Sequence, residues 1–267
     1  MDFKSKISNK FKKILLSRFF SDSKNDSQLT IVGVGPGGKD LLTIAALKAI
    51  NSASVISFPV SMEGGESLAA QIASEWLPDN KKKLPLLFPM VLEEEPRKSA
   101  WSKACDELVD VIQSGEKVVF LSQGDISFFS SGSYILLGMR SKYPECKVKL
   151  IPGITSFAAA AAIAEWPLAL QKEQLLILPA PDDPKVLQDV LKESFSSQRG
   201  IVLMKIGKRW EWIRPMLEKM GLLQNALLAE KVGLSDQKIL KASDLNAESI
   251  PYFSLLLIRQ NWPEVLP

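Results

Sequence analysis

The strongest constraint on the fold lies in residues 29–60. There "LTIVGVG" and "SVISFPV" are short β-branched runs, with one helical stretch, "LLTIAALKAINSA", between them. A strand, a helix and a strand in succession carry the chain back to its starting end, so the two strands run parallel in one sheet. The rhythm continues. "SLAAQIASEWL" is apolar at helical spacing, "KLPLLFPM" is extended, and "AWSKACDELVDVIQSG" is a helix closed by Gly115. "KVVFLSQGD" and "KVKLIPG" are further strands, with the helix "SYILLGMRSKYP" between them. Beyond residue 156 the style repeats, with helices at "SFAAAAAIAEW", "PKVLQDVLKESFSS" and "WIRPMLEKMG". The strands there are "QLLILPA", "GIVLMKIG", "ALLAEKVG" and "PYFSLLLIRQ". This predicts an α/β chain of two α/β domains, 28–152 and 153–267, divided at the turn "PGITS". Residues 1–27 are expected to be a poorly ordered extension.

Charge and residue usage narrow the chemistry. Residues 1–27 carry seven Lys/Arg against three Asp, which leaves 26 basic against 27 acidic residues in the remaining body. A body so balanced offers no strong nucleic-acid surface, and no such partner is expected. Histidine is absent, which removes the usual general base and every Ser-His or Cys-His scheme. Cys105 and Cys146 stand far apart with no C-x-x-C, so neither a disulfide framework nor a metal site is indicated. No apolar run reaches the roughly 20 residues that cross a bilayer; "FAAAAAIAEWPLAL" is broken by Glu165 and Pro167. A cytoplasmic location is expected.

The first turn contains a literal G-x-G-x-x-G at Gly33, Gly35 and Gly38. A dinucleotide fingerprint also needs an acid at the end of the second strand, where this chain has Pro59. Pro36 further removes a backbone N–H that would face a pyrophosphate. Taken alone, the segment is either a plain strand-to-helix turn or a surface on which something flat rests close to the backbone. Three more Gly- or Pro-marked turns end predicted strands: "SQGDISFFSSGS", "PGITSFAAA" and "LPAP". Ligands of open α/β sheets bind at such strand ends.

Together these turns resemble the tetrapyrrole methylase family of S-adenosylmethionine-dependent enzymes. The family's Gly-x-Gly-Pro-Gly is matched from Gly33 to Gly37, its Leu-Leu-Thr at Leu41 to Thr43, its Gly-Asp at Gly124 and Asp125, and its Pro-Gly-Ile-Thr-Ser turn at Pro152 to Ser156. "LLFPM", "LLILPA", "VLMKIGK" and "PYFSLLLIR" resemble the branch that methylates C20 of precorrin-2. Three departures stand out: Gly38 replaces the family's acid, Ile126 replaces the proline after Gly-Asp, and "SFFSSGS" is one residue longer than the common form.

The resemblance implies a cleft between the two domains that takes S-adenosyl-L-methionine and a reduced tetrapyrrole, precorrin-2 or cobalt-precorrin-2, in a homodimer. It carries the cofactor role to Pro36, Gly124, Asp125, Thr155, Ser156, Met204, Ala229 and Pro251. Asp125 has a second reading as a turn-forming aspartate bonded to its own loop, and Thr155 and Ser156 double as a helix cap. Phe128 and Phe129 are either core or the apolar wall of a ring trough. Lys205 and Lys208, with Arg209 beside them, are either a solvated basic turn or contacts to the substrate's carboxylates; Arg97 and Lys98 invite the same thought. No residue is assigned the proton transfer. The same scaffold would also suit a C11 or C17 precorrin methylase, diphthine synthase, or a non-catalytic S-adenosylmethionine-binding module.

Overall fold

A computed structural model describes residues 28–77, 80–197, 199–245, 247–260 and Trp262; the extension expected at 1–27 lies outside them. Five strands precede Pro152: β1 (Leu29–Gly33), β2 (Val55–Val60), β3 (Lys82–Leu87), β4 (Val118–Ser122) and β5 (Val148–Ile151). They form one parallel sheet in the order β3-β2-β4-β1-β5. Helices α1 (Ile44–Ser52) and α2 (Leu68–Ile72) begin at the caps Thr43 and Ser67. They cover one face, burying Ala46, Ile50, Ala69 and Ile72 against Val32, Ile56 and Leu121. Helices α3 (Glu94–Gln113) and α4 (Ser131–Lys142) cover the other with Leu108, Ile112, Ile135 and Met139. Because α3 reaches back to Glu94, it is a turn and a half longer than its apolar pattern alone predicts; a solvent-facing Glu94–Lys98 pair extends its start.

Topology then locates the crevice. The chain leaves β1 toward β2 and β3 on one face, but leaves β4 back across β1 toward β5 on the other. Neighbouring strands whose connections depart to opposite faces open a gap at their carboxyl ends. Here that gap lies between Gly33–Gly38 and Gly124–Asp125.

The second sheet is built differently. Its strands are β6 (Gln174–Pro179), β7 (Arg199–Met204), β8 (Ala226–Glu230), β9 (Lys238–Lys241) and β10 (Ser254–Ile258), in the order β6-β7-β10-β8-β9. Only β6 and β7 pair in parallel; β10 runs antiparallel between β7 and β8, and β9 antiparallel to β8. Helices α6 (Pro184–Ser196) and α7 (Trp210–Lys219) cover one face with Leu187, Leu191, Trp210, Ile213 and Leu217. On the other face lies α5 (Ser156–Ile163), which packs Phe157, Ala160 and Ala161 against Val202, Leu227, Ala229 and Leu257. Burial on both faces explains why β10 reads "SLLLI", without the alternation of a half-exposed strand.

Candidate active site

Three strand-end turns of the first sheet meet backbone to backbone. A Cβ on Gly33 would stand 2.6 Å from Gly153 N and 2.7 Å from Gly124 O, and one on Gly153 would stand 2.1 Å from Gly124 O. Only glycine permits this approach, since real side chains do not come so close. The Gly35 N–H donates to Gly124 O (3.2 Å) and the Gly124 N–H donates to Gly35 O (2.7 Å), which ties the ends of β1 and β4 across the crevice.

Asp125 fastens the third turn. Its Oδ2 accepts from the Gly153 N–H (2.9 Å), and its Oδ1 accepts from the Ser127 N–H (2.9 Å) and the Ser127 hydroxyl. Burial pushes the carboxyl up, but these hydrogen bonds outweigh it and hold Asp125 below the usual carboxylate range. An ionised carboxylate, 8% exposed, is thus fixed on the cavity lining.

The first turn also touches the second sheet's loops. A Cβ on Gly37 would lie 2.5 Å from Gly233 C, and one on Gly233 would lie 2.5 Å from Gly38 N. Main chain therefore meets main chain where the two halves join. Beside this seam opens a cavity of about 490 Å³, within the roughly 300–1,000 Å³ of small-molecule sites.

Of the residues singled out from the sequence, Pro36, Gly124, Asp125, Thr155, Ser156, Met204, Phe128, Phe129 and Lys205 line this cavity. Lys208 is solvent-exposed in the turn Gly207–Arg209, Pro251 lies just before β10, and Ala229 is fully buried in β8; none of the three is on the lining. Arg97 and Lys98 lie on exposed turns of α3, where Arg97 stands over Trp101 and Lys98 pairs with Glu94 and Glu95. Arg209 forms an ion pair with Asp182.

Other lining residues were given no role in the site from the sequence. Pro59 and Val60 end β2, Phe88 and Met90 follow β3, Lys231 and Val232 follow β8, and Tyr252 and Phe253 precede β10. The signal available was position: each stands at a strand's cavity end, as the glycine turns do.

The walls are aromatic. Phe128 meets Phe157 edge-on at 5.4 Å between ring centroids, and Tyr252 meets Phe253 in the same manner at 5.4 Å. Across the cavity, the Lys205 ammonium lies 4.8 Å from the centroid of the Phe129 ring, a cation–π distance. Burial lowers the pKa of Lys205. It raises that of Tyr252 against the opposing pull of Arg209. Five non-glycine residues have left-handed backbone among the described residues, and three of them, Phe129 (φ 47°), Lys205 (φ 57°) and Lys231 (φ 48°), line this one cavity. Such conformations cost of order 1–3 kcal/mol each and gather at functional sites.

The lining fits a folded amphipathic ligand. Apolar rings would take a flat heterocycle, close-packed turns present bare main chain, the start of α5 offers free N–H groups to an anion, and Lys205 adds positive charge, while Lys231 is paired with Asp236. No group of three His, Cys, Asp or Glu is placed to hold a metal ion among the described residues, and no described helix is long and apolar enough to cross a membrane.

Comparison with known proteins agrees with this geometry. The chain is 29% identical over 239 residues to a Salmonella typhimurium protein named cobalt-precorrin-2 C(20)-methyltransferase, covering 89% of this chain and 98% of that one. It is 26% identical over 235 residues to a precorrin-2 C(20)-methyltransferase of Sinorhizobium sp, covering 85% and 93%. Among solved structures, the methyltransferase CobJ is similar with a TM-score of 0.64 at 19% identity, covering 88% and 94%. A uroporphyrin-III C-methyl transferase from Thermus thermophilus, complexed with S-adenyl homocysteine, has a TM-score of 0.59 at 18% identity, covering 86% and 97%. The family model of the Tetrapyrrole (Corrin/Porphyrin) Methylases matches residues 28–245, and with these turns around this crevice the chain belongs to that family.

Proposed function

We propose that this protein transfers a methyl group from S-adenosyl-L-methionine to C20 of precorrin-2 or cobalt-precorrin-2, in cobalamin biosynthesis. The observation that carries the proposal is the meeting of the first sheet's three turns on one aromatic-walled cavity, with Lys205 and Lys231 facing it from the second sheet. The names of the relatives favour C20 over the C11 or C17 position.

In this reading Pro36, Gly124 and Asp125 hold the methyl donor from the first half, Met204 packs on its adenine, and the start of α5 at Thr155 and Ser156 receives its carboxylate. Ala229 and Pro251 support that seat from behind the lining. The donor brings an electrophilic methyl on a sulfonium, so the protein's task is positioning. Phe128 excludes water from the reacting face, and Lys205, seated on the Phe129 ring, orients a carboxylate of the tetrapyrrole's periphery. Lys208, set back in the turn after β7, meets the outer carboxylates. The functional units are residues 28–152 and 153–267, working as a cytoplasmic homodimer without nucleic acid.

The test is incubation with S-adenosylmethionine and either precorrin-2 or its cobalt chelate. The expected product carries one additional methyl, placed at C20 by NMR. A methyl found at C11 or C17, or none with either substrate, overturns the proposal.

A further inference from the structure

Phe129 lies in the loop after β4 of the first sheet and Lys205 just after β7 of the second, and each has a backbone conformation unfavourable for its side chain. A left-handed φ on a bulky residue persists only where the surroundings fix it from several sides. Around Phe129 they do. The Ser122 and Ser130 hydroxyls lie 2.6 Å apart, the Gly132 N–H donates to Ser130 Oγ (3.0 Å), and the Ser133 hydroxyl donates to Ile126 O (2.6 Å). These bonds close the loop from both ends and leave the ring projecting into the cavity, 46% exposed. Lys205 is held likewise: its carbonyl accepts from Arg209 Nη1 (3.2 Å), and Arg209 is anchored on Asp182.

The ammonium of Lys205 is paired with no carboxylate among the described residues; it rests on the ring face instead. A desolvated cation over a ring is attracted without being neutralised. It therefore keeps its capacity to pair with an incoming anion, which a salt bridge would consume.

We infer that Phe129 is a positioning residue for Lys205: its ring, offered by the first half of the molecule, fixes the place of a cation supplied by the second and keeps that cation free for a substrate carboxylate. The carboxylate's identity rests on the function proposed above; the seat itself does not.

Two measurements test the seat and its use separately. In the free protein, the ring current of Phe129 should move the Lys205 ε-methylene protons upfield, and Phe129→Leu should abolish the displacement; an undisplaced signal in the wild type overturns the inference whatever the enzyme turns over. In turnover with whichever of precorrin-2 and cobalt-precorrin-2 the protein methylates, Phe129→Leu should raise KM about three- to tenfold while kcat stays within about twofold, and Phe129→Trp should restore KM. The effect should vanish in a Lys205→Met background, since the two changes remove one interaction. Equal effects in both backgrounds overturn the inference. Should Phe129→Leu fail to fold, progressively fluorinated phenylalanine at position 129 keeps the shape and weakens the ring face; KM must then rise with each fluorine, and a flat series counts against the proposal. Calorimetric binding of S-adenosylhomocysteine should be unchanged in all these variants. Wild-type protein that binds it but makes no C20-methylated product would instead sink the function proposed above.

Discussion

The two sheets contribute to the cavity in different currencies. From the parallel sheet come close-packed main-chain turns, at Gly33, Gly35, Gly124 and Gly153, stapled by Asp125, beside the side-chain wall of Phe88, Phe128 and Phe129. From the mixed sheet come side chains, Met204, Lys205, Lys231 and Tyr252, at the ends of β7 and β8 and the start of β10. A parallel sheet has a switch-point crevice ready for a ligand, whereas antiparallel β10 closes its sheet's middle, and the side chains that reach inward stand at strand ends and in the loops beside them. Main-chain contacts tolerate little, and side chains can be exchanged. Substitutions on the two sides should therefore fail in different ways.

Gly153→Ala should do the most damage. Its Cβ would fall 2.1 Å from Gly124 O, a backbone atom that cannot swing aside. We expect a loss of about 2–4 kcal/mol in urea unfolding; a variant as stable as the wild type would erase the contrast drawn here.

Asp125→Asn comes next. It removes the charge that gathers three hydrogen bonds, with an expected cost of about 2 kcal/mol at neutral pH. Because the folded carboxyl lies below its ordinary value, this contribution is full above about pH 4 and is lost as pH falls through the folded value. The gap between wild-type and variant melting curves should narrow below about pH 4. A gap that persists there would mean the carboxylate's charge is not what holds the turns.

On the side-chain half, Lys205→Met should raise KM for the tetrapyrrole about tenfold without lowering Tm. Burial depresses the pKa of the lysine, so the wild type should gain stability as pH rises through its folded value toward that of a free lysine; the variant should lack this rise. A substantial drop in Tm would make Lys205 a structural residue like the glycines opposite.

Smallest of all should be Gly38→Asp. The residue has an ordinary extended backbone, φ −67° and ψ 130°, and a Cβ there would meet only Leu41 Cδ1 and Cγ at 3.5 Å and Gly233 O at 3.7 Å. Placed before the short helix Lys39–Leu41, an aspartate should leave stability unchanged or add up to about 1 kcal/mol, as read by thermal melting. A large loss would show that the first turn has no slack anywhere.

These positions also show how far the sequence could be read. The parallel half was legible because β-branched runs alternate with amphipathic helices, and because glycines mark places where chains touch. Gly38 misleads such a reading: as the third glycine of a fingerprint it looks indispensable, yet neither its backbone nor its surroundings demand glycine. In the other half β9, "KILK", is too short and polar to stand out, and β10, the next strand along the chain, gives no hint of direction, since an apolar run looks the same whichever way it is threaded. At the site, the Gly-Asp and Pro-Gly turns were visible from spacing. Lys231 and Tyr252 were not, because a lysine or tyrosine beside a strand is ordinary until the fold shows which cavity it faces.

The seam between Gly37 and Gly233 has a consequence for how such a molecule can change. A joint made of side chains can be widened or narrowed by trading large residues for small. At the contact of Gly37 with Gly233 there are none to trade, so at this point the gap between the halves behaves as a fixed gauge. A chain built this way can acquire a taste for a different ring only by re-lining its walls, and any residue inserted in either loop would shift both halves of the pocket at once.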